Sequence, residues 1–487
     1  MNAPLRRLSV LVTALFLVLM LAATWIQSID AGRLRADARN SRTLYAELGR
    51  ERGPILVGGE AVASSTPVED AYRYQRVYAD GRLYAHATGV YSVITQPTGL
   101  EGARNDLLSG TSDQLFYRRL SDLLTGREPA GAVVETTLDA DVQRAAAEAL
   151  GDQRGAVVAL DPRTGDVLAM VSSPSYDPDE LATHDRDAAA AARQALLADE
   201  GDPLVNRAIA GDLYPPGSVF KIVTAAAALE SGEFTPDGLV PGPAVLDLPQ
   251  TDTGLPNSNG RSCGEGDQVT LTDALRISCN TAFGWLGMEL GGDALREQAA
   301  AFGFGEPLSV PLRVTPSTVP AEMSPPQLAQ AGIGQFDVRV TPMQVAMVSA
   351  AVANDGVLVK PNLVRSVRGE DLEVIEQPEP VELGRAVSAD TAAQLTAMME
   401  TVVERGTGTA AQIDGVAVAG KSGTAQHGVD PGAEPPHAWF TAFAPADDPQ
   451  VAVAVVVEEG GAAGDEASGG RTAAPIARRV IQAALDR

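Results

Sequence analysis

An unbroken apolar run from Leu8 to Ile26 constrains this chain more than any other feature of its sequence. The run carries no charge and is long enough to cross the hydrocarbon core of a bilayer as one helix. Arg6 and Arg7 precede it, which predicts a cytoplasmic start and an extracytoplasmic remainder. A cleavable signal peptide is the alternative, because small residues lie within and just after the run. We expect a retained single-pass anchor in the cell membrane.

The chain as a whole is acidic. Its 487 residues carry a formal net charge of −26, which repels the phosphates of nucleic acids and of anionic lipids. We therefore predict no nucleic-acid partner, and membrane contact only through the N-terminal helix. The four histidines lack the paired spacing that zinc ligation needs, so we predict neither a metal site nor a cofactor.

The length of the chain, and the changes in residue composition and pattern along it, predict three parts. Residues 1–29 are expected to form the cytoplasmic start and transmembrane anchor, residues 30–135 a non-catalytic module, and residues 136–487 the catalytic domain. The module contains short alternating stretches, such as 82–85, that are typical of strands. It contains no catalytic pattern, and we interpret it as a pedestal or interaction module.

Strand-like segments lie at both ends of residues 136–487. An alanine-rich stretch at 188–192 is interpreted as a loop, and a helix is predicted over 473–485. Strands at both ends, with mostly helical sequence between them, predict an α+β domain with one antiparallel sheet flanked by helices. The predicted strands are 155–161, 166–172, 416–419, 438–444 and 451–457, of which the first two form a hairpin around a PRTG turn.

The strongest local signal is segment 214–221, YPPGSVFK, which runs into a helix-forming stretch. It predicts Ser218 at a helix start, and Lys221 lies three residues later on the same helical face. A serine hydroxyl is a weak nucleophile unless a base removes its proton, and a desolvated lysine can be that base. In isolation, a serine N-cap followed by a solvated lysine explains the same pattern.

Two further motifs follow in order and change that interpretation. Segment 278–280 reads SCN and is expected in a loop between helices, and segment 421–424 reads KSGT and is expected on an edge strand. Ser-x-x-Lys with Ser-Asp-Asn and Lys-Thr-Gly is a known combination in enzymes whose own serine is the nucleophile and becomes acylated. Three motifs in the right order and setting indicate one active site.

With these motifs the sequence resembles the class B penicillin-binding proteins, and within them the penicillin-binding protein A type of actinobacteria. The likeness extends over nearly the whole chain, including the single span, RERGPI at 50–55, TTLD at 136–139, DPRTG at 161–165 and GQ at 334–335. Cys279 within Ser-x-Asn and Ser422 in place of threonine depart from the commonest pattern without removing a functional group. The resemblance implies a transpeptidase domain with a five-stranded antiparallel sheet, preceded by an elongated non-catalytic module.

The resemblance also implies roles for the catalytic residues. Ser218 would attack the carbonyl between the two terminal D-alanines of a peptidoglycan stem peptide, with Lys221 as its base. Ser278 would pass the proton to the leaving amine, and Asn280 would hold the substrate amide and orient Lys221.

Substrate binding is assigned in the same way. Lys421 would supply positive charge near the substrate carboxylate, with Ser422 and Thr424 as hydroxyl donors on either side of Gly423. The backbone N–H groups of Ser218 and Thr424 would form the oxyanion hole. β-Lactam antibiotics would acylate the same serine, and a multi-span glycosyltransferase is the implied partner.

Two alternatives remain open beside a transpeptidase: a D,D-carboxypeptidase or β-lactamase that hydrolyses the acyl-enzyme, and a β-lactam sensor that signals without turnover. The interval between Asn280 and Lys421 lacks the Glu-x-x-Leu-Asn motif that positions a deacylating water in class A β-lactamases. A sensor would be expected to have several spans and a cytosolic domain. Both observations favour the transpeptidase.

Cys263 and Cys279 are the two cysteines of the chain. On an oxidising side of the membrane they could form a disulfide, which would tether a loop to the middle of the predicted site. The alternative is two reduced thiols, with Cys279 packed as a small apolar side chain.

Overall fold

A computed structural model describes residues 2–30, 49–115, 130–369, 371, 373–428 and 434–487. Helix α1 spans Asn2–Thr24 and continues as a π-helical turn over Trp25–Ile29. The segment Ala3–Ile29 is long and apolar enough to cross a membrane, and its large side chains are exposed. Residues 31–48, which follow, lie outside the described residues.

The remaining elements fall into a helix set and a strand set. The described α-helices after α1 are α2 (Gly81–Thr88), α3 (Gly99–Ala103), α4 (Asn105–Leu108), α5 (Ala140–Leu150), α6 (Asp179–Ala182), α7 (Arg186–Ala198), α8 (Lys221–Glu230), α9 (Leu271–Arg276), α10 (Asn280–Ala301), α11 (Pro325–Ala331), α12 (Pro342–Ala353), α13 (Ala389–Arg405) and α14 (Ala474–Leu485). The described strands are β1 (Ile55–Val57), β2 (Glu60–Pro67), β3 (Tyr74–Tyr78), β4 (Val133–Thr136), β5 (Gly155–Leu160), β6 (Val167–Ser173), β7 (Leu239–Pro241), β8 (Val245–Asp247), β9 (Gly254–Pro256), β10 (Gln268–Thr270), β11 (Leu308–Ser309), β12 (Arg313–Val314), β13 (Val357–Val359), β14 (Val364–Arg368), β15 (Val374–Glu376), β16 (Glu382–Arg385), β17 (Ala419–Ala425), β18 (His437–Ala444) and β19 (Val451–Val457).

A five-stranded sheet of order β17-β18-β19-β5-β6 forms the centre of the C-terminal part, and every neighbouring pair is antiparallel. All residues of β18 and β19 are buried, because helices cover both faces. Val453 and Val455 face a core shared with α5 and α14, while Ala454 and Val456 face the core shared with α8 and α12. The α+β prediction is confirmed.

A second sheet, of order β15-β14-β4-β1-β2-β3, lies in the N-terminal part. Strands β1 and β4 pair in parallel, and the other described pairs are antiparallel. Strands β14 and β15 come from far along the chain, and they complete a sheet that the N-terminal residues begin. The two parts therefore share backbone hydrogen bonds as well as packing.

Three local predictions were wrong. Stretch 82–85 lies in α2, because four residues of alternation are too few to separate a period of 2 from one of 3.6. Stretch 188–192 lies in α7, where alanines favour helix and Asp185 caps the first N–H groups. The strand predicted at 416–419 begins at Ala419 and runs to Ala425, so it carries the KSGT motif itself.

Candidate active site

The three motifs meet at one cavity of about 1470 Å³. Ser218 lies on a 3-10 turn, Gly217–Phe220, and Lys221 is the first residue of α8. Ser278 lies between α9 and α10, and the KSGT segment lies on β17, which is an edge strand of the five-stranded sheet. Ser218, Ser278, Asn280 and residues 422–424 line the cavity, so the structure brings together the residues singled out in the sequence.

Lys221 is fully buried, and its amine contacts the second motif. Nζ donates to Ser278 O at 2.8 Å, to Ser278 Oγ at 3.2 Å and to Asn280 Oδ1 at 2.8 Å. Burial, with a further contribution from the nearby Lys421, lowers the pKa of Lys221 well below its usual value. A lysine in this position loses its proton more easily than a solvated lysine and can act as a base.

Lys421 is also fully buried, and its amine contacts the same hydroxyl. Nζ donates to Ser278 Oγ at 2.9 Å and to Ser422 O at 2.8 Å. Burial lowers the pKa of Lys421 to about 7. Among the described residues, neither lysine forms an ion pair with a carboxylate, so only hydrogen bonds to uncharged oxygen atoms offset the cost of burying the two amines.

Lysine is rare in this chain. Of its 37 basic residues only Lys221, Lys360 and Lys421 are lysines, and the others are arginines. A guanidinium does not give up its proton in proteins, whereas a desolvated lysine amine does. Two of the three lysines therefore occupy positions where a neutral amine has chemical use.

Ser278 is held in an unusual backbone conformation. Its φ is +60°, in the left-handed region that residues with a side chain rarely adopt. Two backbone hydrogen bonds fix the turn after α9: Ser278 N donates to Leu275 O at 3.1 Å, and Cys279 N donates to Ala274 O at 2.8 Å. This conformation directs the Ser278 hydroxyl to the two lysine amines, and the sequence motif gave no sign of it.

Gly217 lets the Ser218 turn approach strand β17. Its φ is +54°, and a Cβ built on it would lie 2.4 Å from Thr424 O. Any larger residue would separate the turn from the strand. The close approach sets the backbone of Ser218 beside that of Thr424, where N–H groups from both could face one oxygen atom.

Several residues that the motifs did not reveal support the site. Thr407 and Ser422 share a hydrogen bond of 2.6 Å between their hydroxyls, and both line the cavity. Tyr214 donates to Glu458 Oε1 at 2.6 Å, and Arg207 Nε donates to the same oxygen at 2.8 Å. This buried contact fixes the segment that leads into Ser218. Tyr214 lies within the first motif, and this was the one sequence signal that pointed to any of these supporting residues.

Cys263 and Cys279 form a disulfide in the structure. The bond joins the loop that precedes β10 to the residue between Ser278 and Asn280. It therefore holds the second motif from behind, on the side away from the cavity, where Cys279 is buried. Among the residues that the structure describes, no three His, Cys, Asp or Glu side chains form a group that could hold a metal ion.

The geometry suits serine acyl transfer. The half-buried hydroxyl of Ser218 stands just before a helix whose first residue is Lys221. The amines of Lys221 and Lys421, both with lowered pKa, contact a second hydroxyl, that of Ser278. Such a set can remove a proton from Ser218, return a proton to a leaving group and bind an anionic substrate.

Comparison with known proteins gives the same picture. Residues 155–482 match the family described as penicillin binding protein transpeptidase domain, and residues 52–134 match the penicillin binding protein A dimerisation domain. Peptidoglycan D,D-transpeptidase PbpA of Mycolicibacterium smegmatis is 47% identical over 493 residues, covering 100% of this chain and 99% of the relative. The Mycobacterium tuberculosis protein of the same name is 46% identical over 494 residues, with the same coverage. A solved structure of penicillin-binding protein A from M. tuberculosis, a ceftriaxone acyl-enzyme complex, is similar with a TM-score of 0.88 and 44% identity, covering 91% of this chain and 100% of that one.

Proposed function

The chain belongs to the class B penicillin-binding protein transpeptidases, and on that premise we propose that it cross-links peptidoglycan stem peptides through an acyl-enzyme on Ser218. The observation that carries this proposal is the pair of buried lysine amines that share Ser278 Oγ in the cavity that Ser218 lines. The alternatives, a hydrolase or a sensor, gain no support from a particular contact in the described residues.

Acylation begins with proton removal from Ser218. The neutral amine of Lys221 takes the hydroxyl proton while Oγ attacks the carbonyl carbon of the D-alanyl-D-alanine peptide bond. The N–H groups of Ser218 and Thr424 stabilise the oxyanion of the tetrahedral intermediate. Ser278 then protonates the nitrogen of the terminal D-alanine and regains a proton from the Lys221 ammonium, which returns Lys221 to its neutral form. The C–N bond breaks, D-alanine leaves, and an ester on Ser218 remains.

Deacylation reverses these proton transfers. An amine of a second stem peptide attacks the ester carbonyl and loses a proton to the neutral base. The new C–N bond forms, and the Ser218 oxygen leaves with a proton from the Lys221 and Ser278 pair. In balance, one peptide bond is exchanged for another, and the second stem peptide is the only co-reactant.

The substrate carboxylate has a natural place beside β17. Lys421 can approach it as an ammonium, and Ser422 and Thr424 can donate from their hydroxyls. Gly423 has no side chain, and a Cβ added to it would lie 2.9 Å from Val219 Cγ1. The strand can therefore lie close to the Ser218 turn. These contacts support the substrate-binding roles of residues 421–424.

We place the catalytic domain outside the cytoplasm, because Arg6 and Arg7 precede the apolar helix. Residues 30–135 would form a pedestal that separates residues 136–487 from the membrane. As the resemblance to class B penicillin-binding proteins implies, a multi-span glycosyltransferase would supply the glycan strands.

The proposal is tested by mass spectrometry of the intact protein after brief exposure to benzylpenicillin. We expect a stable adduct of one penicilloyl group on the unaltered chain and none on Ser218→Ala. A thioester analogue of the stem peptide, offered with a D-amino acid acceptor, should yield the condensed product. Rapid loss of the adduct with hydrolysis only would support the hydrolase, and labelling of Ser218→Ala would overturn the assignment of the nucleophile.

A further inference from the structure

The start of helix α10 needs a partner that its own sequence does not supply. The first N–H groups of a helix have no acceptor within the helix, and Ser, Thr, Asp or Asn at the N-cap position commonly satisfies one of them. Here the N-cap is Cys279, whose sulfur is bonded to Cys263 and lies 3.4 Å from the N–H of Ala282. Sulfur is a weak acceptor, so the first N–H groups of α10 require oxygen from elsewhere.

Asn257 supplies that oxygen from a different loop. Its Oδ1 accepts from Asn280 N at 2.9 Å and from Thr281 N at 3.1 Å. Asn280 is the last residue of the second motif, so this cap acts on the backbone of a residue proposed for the active site. The dipole of α10 strengthens the contact, because it places partial positive charge on these N–H groups.

The other half of the Asn257 amide fixes the residue itself. Nδ2 donates to Pro243 O at 2.9 Å, to Arg261 O at 2.9 Å and to Thr281 Oγ1 at 3.1 Å. Asn257 is 7% exposed, and its amide donors and acceptor are already engaged. Its side chain therefore has little capacity left to bind a substrate, although the residue lines the cavity.

The same loop also contacts the Asn280 side chain. Asn280 Nδ2 donates to Pro256 O at 3.4 Å, while its Oδ1 accepts from Lys221 Nζ at 2.8 Å. Residues 256 and 257 thus hold both the backbone and the amide of Asn280. A shift of this loop would move the acceptor that orients Lys221.

We propose that Asn257 is a positioning residue for the acylation step: it caps α10 in place of a conventional N-cap and thereby fixes Asn280 against Lys221. The inference rests on the proposed function and deepens it. It assigns to Asn257 no contact with substrate. Its loss should lower the rate constant of the covalent step and leave the affinity of the preceding non-covalent complex nearly unchanged.

The test compares two asparagines of one loop. Asn259 lies two residues beyond Asn257, is exposed, and its Oδ1 accepts from Arg261 N at 3.0 Å without reaching α10. Asn257→Ala and Asn259→Ala are compared with the unaltered chain for stopped-flow acylation by benzylpenicillin, which separates the dissociation constant from the acylation rate constant. Thermal unfolding of each variant is measured, and acylation is followed well below the unfolding temperature.

We expect Asn257→Ala to lower the acylation rate constant about 100-fold, because small misplacements of catalytic groups have effects of this order. Asn259→Ala should stay within twofold of the unaltered chain. Asn257→Asp keeps an oxygen for the two N–H groups and should retain about a tenth of the rate, which gives a second reading if Asn257→Ala does not fold.

Equal acylation rate constants in folded Asn257 variants and in Asn259→Ala would overturn the inference and leave Asn257 a structural residue. A loss confined to the dissociation constant would also overturn it, in favour of direct substrate contact. Failure of the unaltered chain to be acylated would instead count against the proposed function, so the two failures are distinguishable.

Discussion

Two clusters of buried cationic side chains lie in different parts of this molecule and are built in opposite ways. In the N-terminal part, Glu101 is fully buried between two arginines, with Arg52 Nε at 2.5 Å and Arg76 Nε at 2.6 Å. In the active site, Lys221 and Lys421 are equally buried and meet at the uncharged hydroxyl of Ser278. One cluster contains its counter-ion, and the other contains none among the described residues.

The difference shows that burial has opposite consequences for the charge of the buried groups in the two regions. Burial alone would raise the pKa of Glu101, but the guanidinium groups of Arg76 and Arg52 lower it below the usual value, so the carboxylate stays charged. Burial, with no counter-ion among the described residues, lowers the pKa of both lysines, that of Lys421 to about 7, so each loses its proton more easily than a solvated lysine. The paired cluster therefore fixes architecture, whereas the unpaired cluster supplies chemistry.

The largest effect is expected from Lys221→Arg. Arginine keeps the positive charge but cannot act as a base, so acylation by benzylpenicillin should fall about 10³- to 10⁴-fold. The matched control is Lys360→Arg, the same change at the third lysine, which should leave the rate unchanged. Near-normal acylation of Lys221→Arg would mean that another group removes the Ser218 proton. The lysine cluster would then not have the chemical role that distinguishes it from the Glu101 cluster.

Glu101→Gln should act on stability and leave the chemistry intact. Removing the shared carboxylate leaves Arg52 and Arg76 buried without a counter-ion, which costs about 3–5 kcal/mol of unfolding free energy. Glu376→Gln breaks the partly exposed pair with Arg104 and should cost about 0–1 kcal/mol. Denaturant unfolding of both variants checks this, with acylation measured on the folded protein. A change in acylation rate by Glu101→Gln would show that the two regions are coupled.

The pH dependence of antibiotic binding should reveal the charge of Lys421. With its pKa lowered to about 7, the amine is an ammonium below that pH and neutral above it. The affinity of Ser218→Ala for anionic benzylpenicillin should therefore be highest below pH 7 and fall by up to about tenfold per pH unit above it. In Ser218→Ala with Lys421→Arg the charge persists, so the affinity should stay constant. A constant affinity with Lys421 intact would mean that the lysine remains charged.

Reduction of the disulfide should have the smallest effect. The Cys263–Cys279 bond and the Asn257 cap both hold the second motif in place. Loss of the bond should therefore loosen Ser278 and Asn280 without unfolding the domain. We expect acylation to slow by about two- to fivefold in the presence of reductant. A variant with serine at both positions should not respond to reductant. Equal rates with and without reductant would leave the bond a structural link only.

The sequence predicted the centre of the site well because each motif is short and carries its own chemistry. The SxxK turn, the SCN loop and the KSGT strand were each assigned the right kind of element, although the strand was placed too early. The α+β class followed from the hairpin β5–β6 and the C-terminal strands, whose patterns are local.

The supporting residues could not be predicted in this way. Asn257, Thr407 and Glu458 are common residue types, and they act through contacts with residues distant in sequence. The pairing of β14 with β4 likewise joins segments more than two hundred residues apart, and no local pattern encodes such a partner. Burial of the two lysines and the positive φ of Ser278 are also properties of the assembled fold.

The central claim is that two lysines, buried without a counter-ion among the described residues, lose their protons easily, and this can be measured directly. The chain has three lysines, so labelling with ¹³C at the ε-carbon gives three side-chain signals, which Lys360→Arg and the active-site variants assign. Titration by NMR should show Lys421 with a midpoint at about 7 and Lys221 with a midpoint well below that of a free lysine. Signals of Lys221 and Lys421 that remain those of ammonium groups up to about pH 10, as for solvated lysine, would contradict the account.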